Sequence, residues 1–297
     1  MMKDDKIVKL IGNGLRKARK SRGLKQTDLI GDSMSIGSLS GIENGKQDIP
    51  ASVLYSYLKK MGLTFSEFWH LANNYASDDF LKKWIKVERW VVNGNSSALA
   101  MFLQDERQKV KLNPGNKYTR LNYLMLKNFA ATVDPSYALS SSSKNEISQH
   151  LMSINDWTKY DLVLFGNTIN CFSPARIKEL SDDLLTRTSL HKSIPENKKM
   201  IVLILISAIS ELLDFNELST VLKLQMHAKS LLEDVDIYEK SIFLFASGVI
   251  EVYRGNTQEG KRIMEDVIDI FNRVESYDLA RTYQEDLNKI IKKFEIE

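Results

Sequence analysis

The chain has 297 residues, of which 43% are hydrophobic and 27% charged, a composition typical of a soluble globular protein with one large or two ordinary domains. Its single cysteine, Cys171, excludes an intrachain disulfide framework and favours a reducing, cytoplasmic setting. The longest apolar run, Met200–Ile209, is shorter than the roughly 20 residues that cross a membrane, and the first ten residues lack the apolar core of a signal peptide.

The net charge of +3 is unevenly distributed along the chain. Residues 1–70 contain 12 basic and 7 acidic residues, a net charge of +5, whereas the remainder contains 29 basic and 31 acidic residues, a net charge of −2. A basic N-terminal segment on a weakly acidic body indicates that the N-terminal segment meets phosphate. The chain has only 5 prolines and no long segment of period-two alternation, which favours an all-α fold.

The first seventy residues predict five short helices. Apolar residues at three- and four-residue spacing indicate an amphipathic helix over 6–22, which Gly23 ends. The elements expected after it are a helix over 26–30, a turn over 31–33, a helix from an N-cap at Ser35 to Asn44-Gly45, and helices over 51–61 and 64–73. The side chains expected in the core are Ile7, Leu10, Ile11, Leu15, Ala18, Leu39, Ile42, Leu54, Leu58, Phe65 and Phe68.

This segment resembles the helix-turn-helix of phage repressors, the Cro/C1 or XRE family. The resemblance is carried by Leu15-Arg16, Arg19, Gly23-Leu24, Gln26, Leu29, Ser38-Leu39 and the run Ile42-Glu43-Asn44-Gly45-Lys46. It implies binding to double-stranded DNA, with Gln26 and Lys46 on phosphate and an ion pair between Arg19 and Glu43 that ties helix one to helix three. The residues that would face the major groove are Ser35, Ile36, Gly37, Ser38 and Gly41.

The third helix lacks the Gln, Asn and Arg side chains that form bidentate hydrogen bonds with bases, so we expect few direct contacts to bases. Phosphate contacts from Arg16, Lys17, Lys20 and Lys46 would carry more of the affinity. The alternative interpretation is a helical module with basic, solvated faces that has lost DNA binding.

The remainder of the chain contains helical hairpins that repeat about every forty residues. Apolar helices follow Lys159, Lys199 and Lys240, which are spaced 40 and 41 residues apart. After a break, each is followed by a second, amphipathic helix, and these are expected over 174–188, 217–233 and 258–274. Pro174 suits the first position of its helix, after a Ser cap.

Further hairpins flank these three. A weaker copy begins at Lys117, another is expected within 79–110, and a helix over 277–294 would cap the stack. Stacked hairpins bury each other's faces, and about three copies are needed for stability. The predicted architecture is therefore all-α, and it consists of a five-helix repressor-like helix-turn-helix domain over 1–70, a linker over 71–80 and a right-handed TPR-like helical-repeat superhelix over 81–297.

The whole chain resembles the Rgg/GadR/MutR regulators of Gram-positive bacteria. Beyond the helix-turn-helix, the resemblance is carried by LTFSEFWHLAN, by WTKYDLVLFGN at 157–167 and by EVYRGN near the C-terminal end. It implies a cytoplasmic, homodimeric transcription factor controlled by a short hydrophobic quorum-sensing peptide, which binds the concave face of the helical-repeat domain. The helix over 277–294 is a candidate dimer interface.

Polar residues inside the apolar first helices are candidate peptide ligands, because these helices normally line the inner surface of such a superhelix. Asn167 and Asn170 are spaced i, i+3 on one helical face, and Asn128 aligns with Asn170 by repeat spacing. An asparagine amide both donates to and accepts from a peptide backbone. The remaining candidates are Ser207, Ser210, Glu251 and Arg254. The alternative is that Asn167 and Asn170 cap or bridge neighbouring helices.

Other functions find less support in the sequence. The same architecture could respond to pH, a small molecule or a protein partner instead of a peptide. The chain has no Walker loop, dinucleotide fingerprint, nucleophile elbow or metal-ligand spacing of its four histidines, so we expect no enzyme, cofactor or metal site. Cys171 is expected to be a small buried residue, with a regulatory thiol as the alternative. Trp84, Trp90 and Trp157 are expected in the core, and Ser140–Ser143 in a loop between helices.

Overall fold

A computed structural model describes residues 4–30, 34–73, 79–188 and 194–295, and the chain divides into two compact units, Met1–Lys86 and Val87–Glu297. Within these ranges the chain forms sixteen α-helices, two short 3-10 helices and no strand, so the predicted all-α class is confirmed. Of the helices in the described ranges, none is both long and apolar enough to span a bilayer.

The first unit contains the five helices predicted for it. These are α1 Asp4–Ser21, α2 Gln26–Leu29, α3 Ile36–Glu43, α4 Ala51–Lys60 and α5 Phe65–Ala72, and a sixth helix, α6 Asp79–Val92, begins in this unit. The Ser35 hydroxyl caps α3 by accepting a hydrogen bond from the Ser38 amide at 3.1 Å, as predicted. Gly45, with a φ of 66°, follows the end of α3. The core is formed by Leu15, Ala18, Leu29, Leu39, Ile42, Leu54, Leu58 and Phe68.

Three side chains expected in this core lie outside it, and one of them, Leu10, is half-buried. Ile7, in the first turns of α1, is 48% exposed, and Phe65, the first residue of α5, is 49% exposed and stacks on Tyr55. Ile7 and Phe65 both lie near the N-terminal ends of their helices, where they are only partly covered. The predicted turn over 31–33 lies outside the described residues. Of the predicted linker, 74–78 lies outside them too, whereas Leu71 and Ala72 belong to α5 and residues 79 and 80 to α6.

A buried ion pair joins α1 to α3. Arg19 Nε lies 2.6 Å from Glu43 Oε1, and Arg19 Nη2 lies 2.7 Å from Glu43 Oε2, so the contact is bidentate. Arg19 Nη1 also donates to the Leu24 carbonyl at 2.8 Å, and Gln26 Nε2 donates to Glu43 Oε2 at 2.9 Å. Glu43 has no solvent exposure. Burial raises the pKa of Glu43, but the hydrogen bonds from Arg19 and Gln26 and the nearby guanidinium charges outweigh it, and the net pKa is lowered.

The backbones of α1 and α3 also approach closely. A Cβ at Gly12 would lie only 2.0 Å from the carbonyl oxygen of Ile42. Any side chain at Gly12 would therefore separate the two helices, and the ion pair at the next turns would lose its geometry.

The second unit stacks its helices in sequence. They are α7 Ser96–Leu112, α8 Lys117–Ala130, α9 Ser141–Ser153, α10 Lys159–Gly166, α11 Pro174–Arg187, α12 Pro195–Leu213, α13 Leu218–Leu231, α14 Ile237–Tyr253, α15 Thr257–Arg273 and α16 Tyr277–Phe294, with 3-10 helices at Pro135–Tyr137 and Ile169–Cys171. The predicted hairpins correspond to α10 with α11, α12 with α13, and α14 with α15. Along one row, α8 packs on α10, α10 on α12, and α12 on α14.

Two local predictions in this unit are wrong. The serine run is not a loop, because Ser140 caps α9 by accepting from the Ser143 amide and the helix begins at Ser141. The apolar helix after Lys159 does not run through to residue 172. It ends at Gly166, because the Asn167 side chain donates to the Val163 carbonyl at 2.8 Å, and the 3-10 helix Ile169–Cys171 follows. Asn167 and Asn170 therefore do not share one α-helical face.

The tryptophans differ in burial. Trp157 is fully buried, packs against Phe165, and donates from its indole nitrogen to the Leu151 carbonyl at 3.0 Å. It is a core residue, as predicted. Trp84 and Trp90 are only half-buried, and Trp90 packs on Phe102 within the second unit.

The closest helix contact in the second unit is between α14 and α15. A Cβ at Gly248 would lie 2.8 Å from the Gly260 carbonyl oxygen, and a Cβ at Gly260 would lie 2.5 Å from the Gly248 carbonyl oxygen. The two glycines thus let the backbones of this hairpin touch.

Replacing Glu43 by Gln should destabilise the first unit by about 3–5 kcal/mol, because Arg19 would keep its charge without a carboxylate in a buried site. Urea unfolding of the full chain, followed by circular dichroism, measures this. The control is Glu259→Gln, whose pair with Arg262 is exposed and screened by solvent, so its loss should change the stability far less.

The same comparison has an expected pH dependence. Because the folded pKa of Glu43 is lowered, its contribution is present above the ordinary glutamate pKa of about 4.3 and is lost as the pH falls through the folded value. The stability gap between wild type and Glu43→Gln should therefore narrow in acid. A gap that widens below that pH would contradict the assigned ion pair.

Replacing Gly260 by Ala should destabilise the second unit by about 1–3 kcal/mol, because the methyl group overlaps the Gly248 carbonyl. Thermal unfolding measures the effect, with Gly115→Ala as the control, since a Cβ at Gly115 meets no atom within 4 Å. Equal melting temperatures for the two variants would show that α14 and α15 do not touch at these glycines.

Candidate DNA interface and ligand groove

The candidate DNA surface is the outward side of α3. Leu39 and Ile42 point into the core, as predicted, whereas Ile36 is 47% exposed and Gly37 is also exposed. A large apolar side chain held in solvent at the start of this helix is suited to contact with a base edge, for example a thymine methyl. Of the other predicted groove-facing residues, Ser35 is exposed, while Ser38 and Gly41 are half-buried.

Sequence reasoning missed Gln47. Its side-chain amide is exposed and lies 3.0 Å from the position that a Cβ would occupy on Gly41. The absence of a side chain at Gly41 therefore leaves room for an amide beside α3, and amides read adenine in a bidentate way. Gln47 lies four residues beyond the end of α3, where the pattern of the recognition helix does not extend.

The predicted phosphate-contacting residues fall into two groups. Lys17 and Lys46 have exposed side chains. Arg16 and Gln26 instead converge on the buried ion pair, because Arg16 Nε lies 3.8 Å from Glu43 Oε2 and Gln26 donates to the same carboxylate. Arg16 also donates to the side chain of Asn44. Both side chains thus have a partner within the chain, which holds them in place beside α3.

A groove runs along the second unit, lined by residues of α8, α10, α12, α14 and α16. It consists of two cavities of about 460 Å³ and 440 Å³. Both are lined by Ile206, Ser210, Ile242 and Tyr283, so they adjoin one another. The apolar part of the lining comprises Phe129, Ile169, Leu203, Ile206, Leu213, Ile242, Phe245, Ala246, Val249 and Ile290.

Five of the seven predicted ligand residues line the first of these cavities. They are Asn128, Asn167, Asn170, Ser207 and Ser210. Asn128 Nδ2 donates to the Asn167 carbonyl at 3.0 Å and to Asn170 Oδ1 at 2.7 Å. The asparagines therefore do bridge neighbouring helices, and the nearly buried Asn128 is committed to that bridge. Asn170 is exposed, and its Nδ2 faces no acceptor among the described residues.

The two serines differ in the same way. Ser207 Oγ donates to the Leu203 carbonyl of its own helix at 3.1 Å, whereas Ser210 is exposed where the two cavities meet. The next residue, the half-buried Glu211, also lines the groove, and burial, followed by the charge of Asp214, raises its pKa.

Glu251 and Arg254 do not line the groove, which corrects their prediction as ligand residues. Helix α14 ends at Tyr253, so Arg254 lies at its C-cap, and Arg254 Nη1 donates to Glu251 Oε1 at 2.7 Å. Glu251 also accepts from Asn256 Nδ2 at 2.6 Å. The Glu251–Arg254 contact lies at the C-terminal end of α14, outside both groove cavities.

Helix α16 supplies groove residues that sequence reasoning missed. Tyr283, Asp286, Ile290 and Lys293 recur at three- and four-residue spacing and face the second cavity. Lys293 pairs with Asp214, and hydrogen bonds from Lys293 and Tyr253 lower the pKa of Asp214. The helix was predicted as a cap and a candidate dimer interface, not as part of the groove, although this spacing was visible in the sequence. Its buried Ala280 and Leu287 pack within the chain on the α15 side.

Cys171 lies beside the groove in the 3-10 helix. Burial raises the pKa of its thiol to about 11, so the thiolate is scarce at neutral pH and the side chain has the character of a small apolar residue. Within the described ranges, no group of three or more His, Cys, Asp and Glu side chains is placed to hold a metal ion.

Comparison with known proteins shows which family and which solved structures this chain is similar to. Residues 15–68 match the family described as "Helix-turn-helix". The Streptococcus dysgalactiae SHP pheromone receptor Rgg2 is similar with a TM-score of 0.79 and 22% identity over 94% of this chain and 99% of that chain. The PrgX/cCF10 complex is similar with a TM-score of 0.68 and 16% identity over 96% of this chain and 93% of that chain. These likenesses show the fold.

The family assignment comes from the C-terminal body. Residues 102–285 match the family described as "HTH-type transcriptional regulator Rgg, C-terminal domain". This stretch covers more than half of the chain and includes all of α8 to α15. The chain therefore belongs to the Rgg family of helix-turn-helix transcriptional regulators.

Proposed function

We propose that this regulator binds promoter DNA as a homodimer through its first unit, and that a short peptide bound in the groove of its second unit controls its output. The observation that carries the proposal is the groove itself, an elongated surface with an apolar floor and free amide and hydroxyl groups at its rim. A groove of this composition suits a short apolar peptide in extended conformation.

The polar groups are placed to bind a peptide backbone. Asn170 Nδ2 and the Ser210 hydroxyl have no hydrogen-bond acceptor among the described residues, and both lie beside the apolar floor formed by Ile206 and Ile242. Backbone amides pair with such groups, while apolar side chains fill the floor. The similar structures named as a pheromone receptor and as a complex with cCF10 support a peptide as the ligand.

On the DNA side, Lys17 and Lys46 are proposed to contact phosphate, and Ile36, Gly37 and Gln47 to lie against the bases. In a dimer the two α3 helices would enter successive major grooves, about 34 Å apart or a multiple of that distance. A peptide would act by binding more tightly to one arrangement of the two heads than to another, since only such a difference shifts the population.

Lys46→Gln should weaken binding to every DNA sequence and lower the salt slope by about 1, because one phosphate contact is lost. Ile36→Ser should weaken binding to the promoter while leaving non-specific binding nearly unchanged, because it removes a base contact. Fluorescence anisotropy with promoter DNA and with a scrambled duplex, over a range of salt concentrations, measures both effects.

The matched control is Lys59→Gln, an exposed lysine on α4 that is outside the proposed DNA surface. It should behave as wild type. The assigned surface is wrong if Lys59→Gln and Lys46→Gln weaken binding equally, or if Ile36→Ser reduces both kinds of binding to the same extent.

Ser210→Trp should abolish peptide retention, because the indole would fill the point at which the two cavities meet. The protein is incubated with a peptide extract of the cells that produce it and analysed by native mass spectrometry, and its promoter binding is measured with and without the extract. Ser219→Trp, an exposed position on α13 outside the groove, is the matched control.

The expected result is a retained peptide and a changed DNA affinity for wild type and Ser219→Trp, and neither for Ser210→Trp. Retention by Ser210→Trp would place the peptide elsewhere. DNA binding by the wild type without any retained peptide would point to another effector, namely pH, a small molecule or a protein partner.

A further inference from the structure

A separate cavity of about 460 Å³ lies in the second unit, away from the groove residues. It is enclosed by α7, α8, the 3-10 helix Pro135–Tyr137 and the first turn of α9. None of its lining residues is shared with the groove cavities described above. Its charged and hydroxyl-bearing lining residues include Arg107, Arg120, Tyr123, Lys127, Tyr137 and Ser143.

The charged side chains that line this cavity are all positive. Arg107, Arg120 and Lys127 contribute three cations, and no carboxylate is among the lining residues that the structure describes. Arg120 is paired with Glu146, which lies outside the lining, whereas Arg107 and Lys127 have no carboxylate partner among the described residues. In the groove, by contrast, both lysines are paired, Lys293 with Asp214 and Lys289 with Asp286. Cations that gather without acidic side chains between them attract an anion.

Most N–H donors of these three side chains have no acceptor among the described residues. Arg120 bonds Glu146 through Nε, at 2.5 and 2.6 Å, so its two terminal nitrogens have no acceptor among the described residues. Lys127 has only a long contact of 3.4 Å to the Ala138 carbonyl, and Arg107 has no carboxylate partner in the described ranges. Glu146 therefore fixes one edge of the Arg120 guanidinium and leaves the other edge free for a ligand.

The fold brings these groups together on one side of α8. Arg120, Tyr123 and Lys127 are spaced i, i+3 and i+7 and share a helix face, and Arg107 reaches the cavity from α7. The Tyr123 hydroxyl lies close enough to Arg107, Arg120 and Tyr137 for each of them to affect its pKa. Burial raises this pKa, the two arginine charges lower it, and Tyr137 raises it. Ser143 adds the first turn of a thirteen-residue helix, whose N-terminal end favours negative charge.

We infer that this cavity binds a small phosphate monoester that carries a planar ring, with the phosphate between Arg107 and Arg120 and the ring against Tyr123 and Tyr137. Planar guanidinium groups with free edges match phosphate oxygens in a bidentate way. Lys127 and the tyrosine hydroxyls supply further donors. Leu103 and Leu124 give an apolar wall for the ring, and a cavity of about 460 Å³ is in the range of small-ligand sites.

The test uses isothermal titration calorimetry on the full chain at low ionic strength. The probes are adenosine 5′-monophosphate, uridine 5′-monophosphate, inorganic phosphate and, as the phosphate-free control, adenosine. We expect millimolar or tighter binding of at least one nucleotide, weaker binding of inorganic phosphate, and none of adenosine. Arg107→Gln should weaken nucleotide binding about tenfold to a hundredfold, because it removes a charge-assisted contact that no other side chain replaces.

Arg107 has no hydrogen-bond or ion-pair partner among the described residues, so its replacement should leave the melting temperature unchanged. The matched control is Arg273→Gln, an exposed arginine on α15 outside the cavity, which should bind like wild type. A second variant, Tyr123→Phe, removes only a hydroxyl and should weaken binding less than Arg107→Gln.

Three results would overturn the inference. One is the absence of binding by every nucleotide and by phosphate, and another is nucleotide binding that Arg107→Gln does not change. The third is a double-stranded DNA fragment that binds more weakly to Arg107→Gln while nucleotides do not bind at all, which would make the cavity a contact for the DNA backbone. Because the site shares no residue with the groove, none of these results bears on peptide control.

Discussion

The burial of α12 is the constraint on which the second unit depends. This helix contributes Ile201, Val202, Ile204, Leu205, Ile206, Ala208, Ile209, Leu212 and Leu213 to the core, and it packs against α10, α11, α13 and α14. Each fully buried Leu or Ile stabilises the fold by about 1.5–3 kcal/mol, so the loss of α10, α11, α13 or α14 would expose apolar side chains of this helix at a large cost in stability. The neighbours of α12 cover it on all but one stretch, where Ile206 and Ser210 face the groove. The groove is therefore the part of an apolar helix that the hairpins do not cover.

The first unit depends on a different interaction, the bidentate contact between Arg19 and Glu43. A carboxylate without solvent exposure is tolerated there because Arg19 and Gln26 donate to it, and because Arg16 lies nearby. These donors come from α1 and from the start of α2, and they fix the last turn of α3. The orientation of the exposed Ile36 thus depends on a buried charge pair about two turns away. Arg16 and Gln26 serve this pair whether or not they also contact phosphate.

Polar side chains in the second unit fall into two classes that look alike in the sequence. Asn128, Glu251 and Arg254 satisfy groups of the chain itself, whereas Asn170 and Ser210 keep free donors beside an apolar floor. The same distinction separates the two basic regions. Lys293 of α16 is paired with Asp214 and Lys289 with Asp286 of its own helix, whereas Arg107 and Lys127 line their cavity without a carboxylate partner among the described residues. Charge that is left unbalanced on a concave surface marks a site for a ligand of opposite charge.

The sequence by itself determined the helices, because period, caps and stop signals are local. Ser35 and Pro174 begin helices as their side chains require, and the forty-residue repeat places three hairpins where the structure has them. Tertiary structure decided what those helices expose. Phe65 fits an apolar pattern but is 49% exposed, and Tyr283 and Lys293 of the terminal helix line the groove. Burial, free donors and cavities arise from side chains that are far apart in the chain, and no local pattern records which of them will meet.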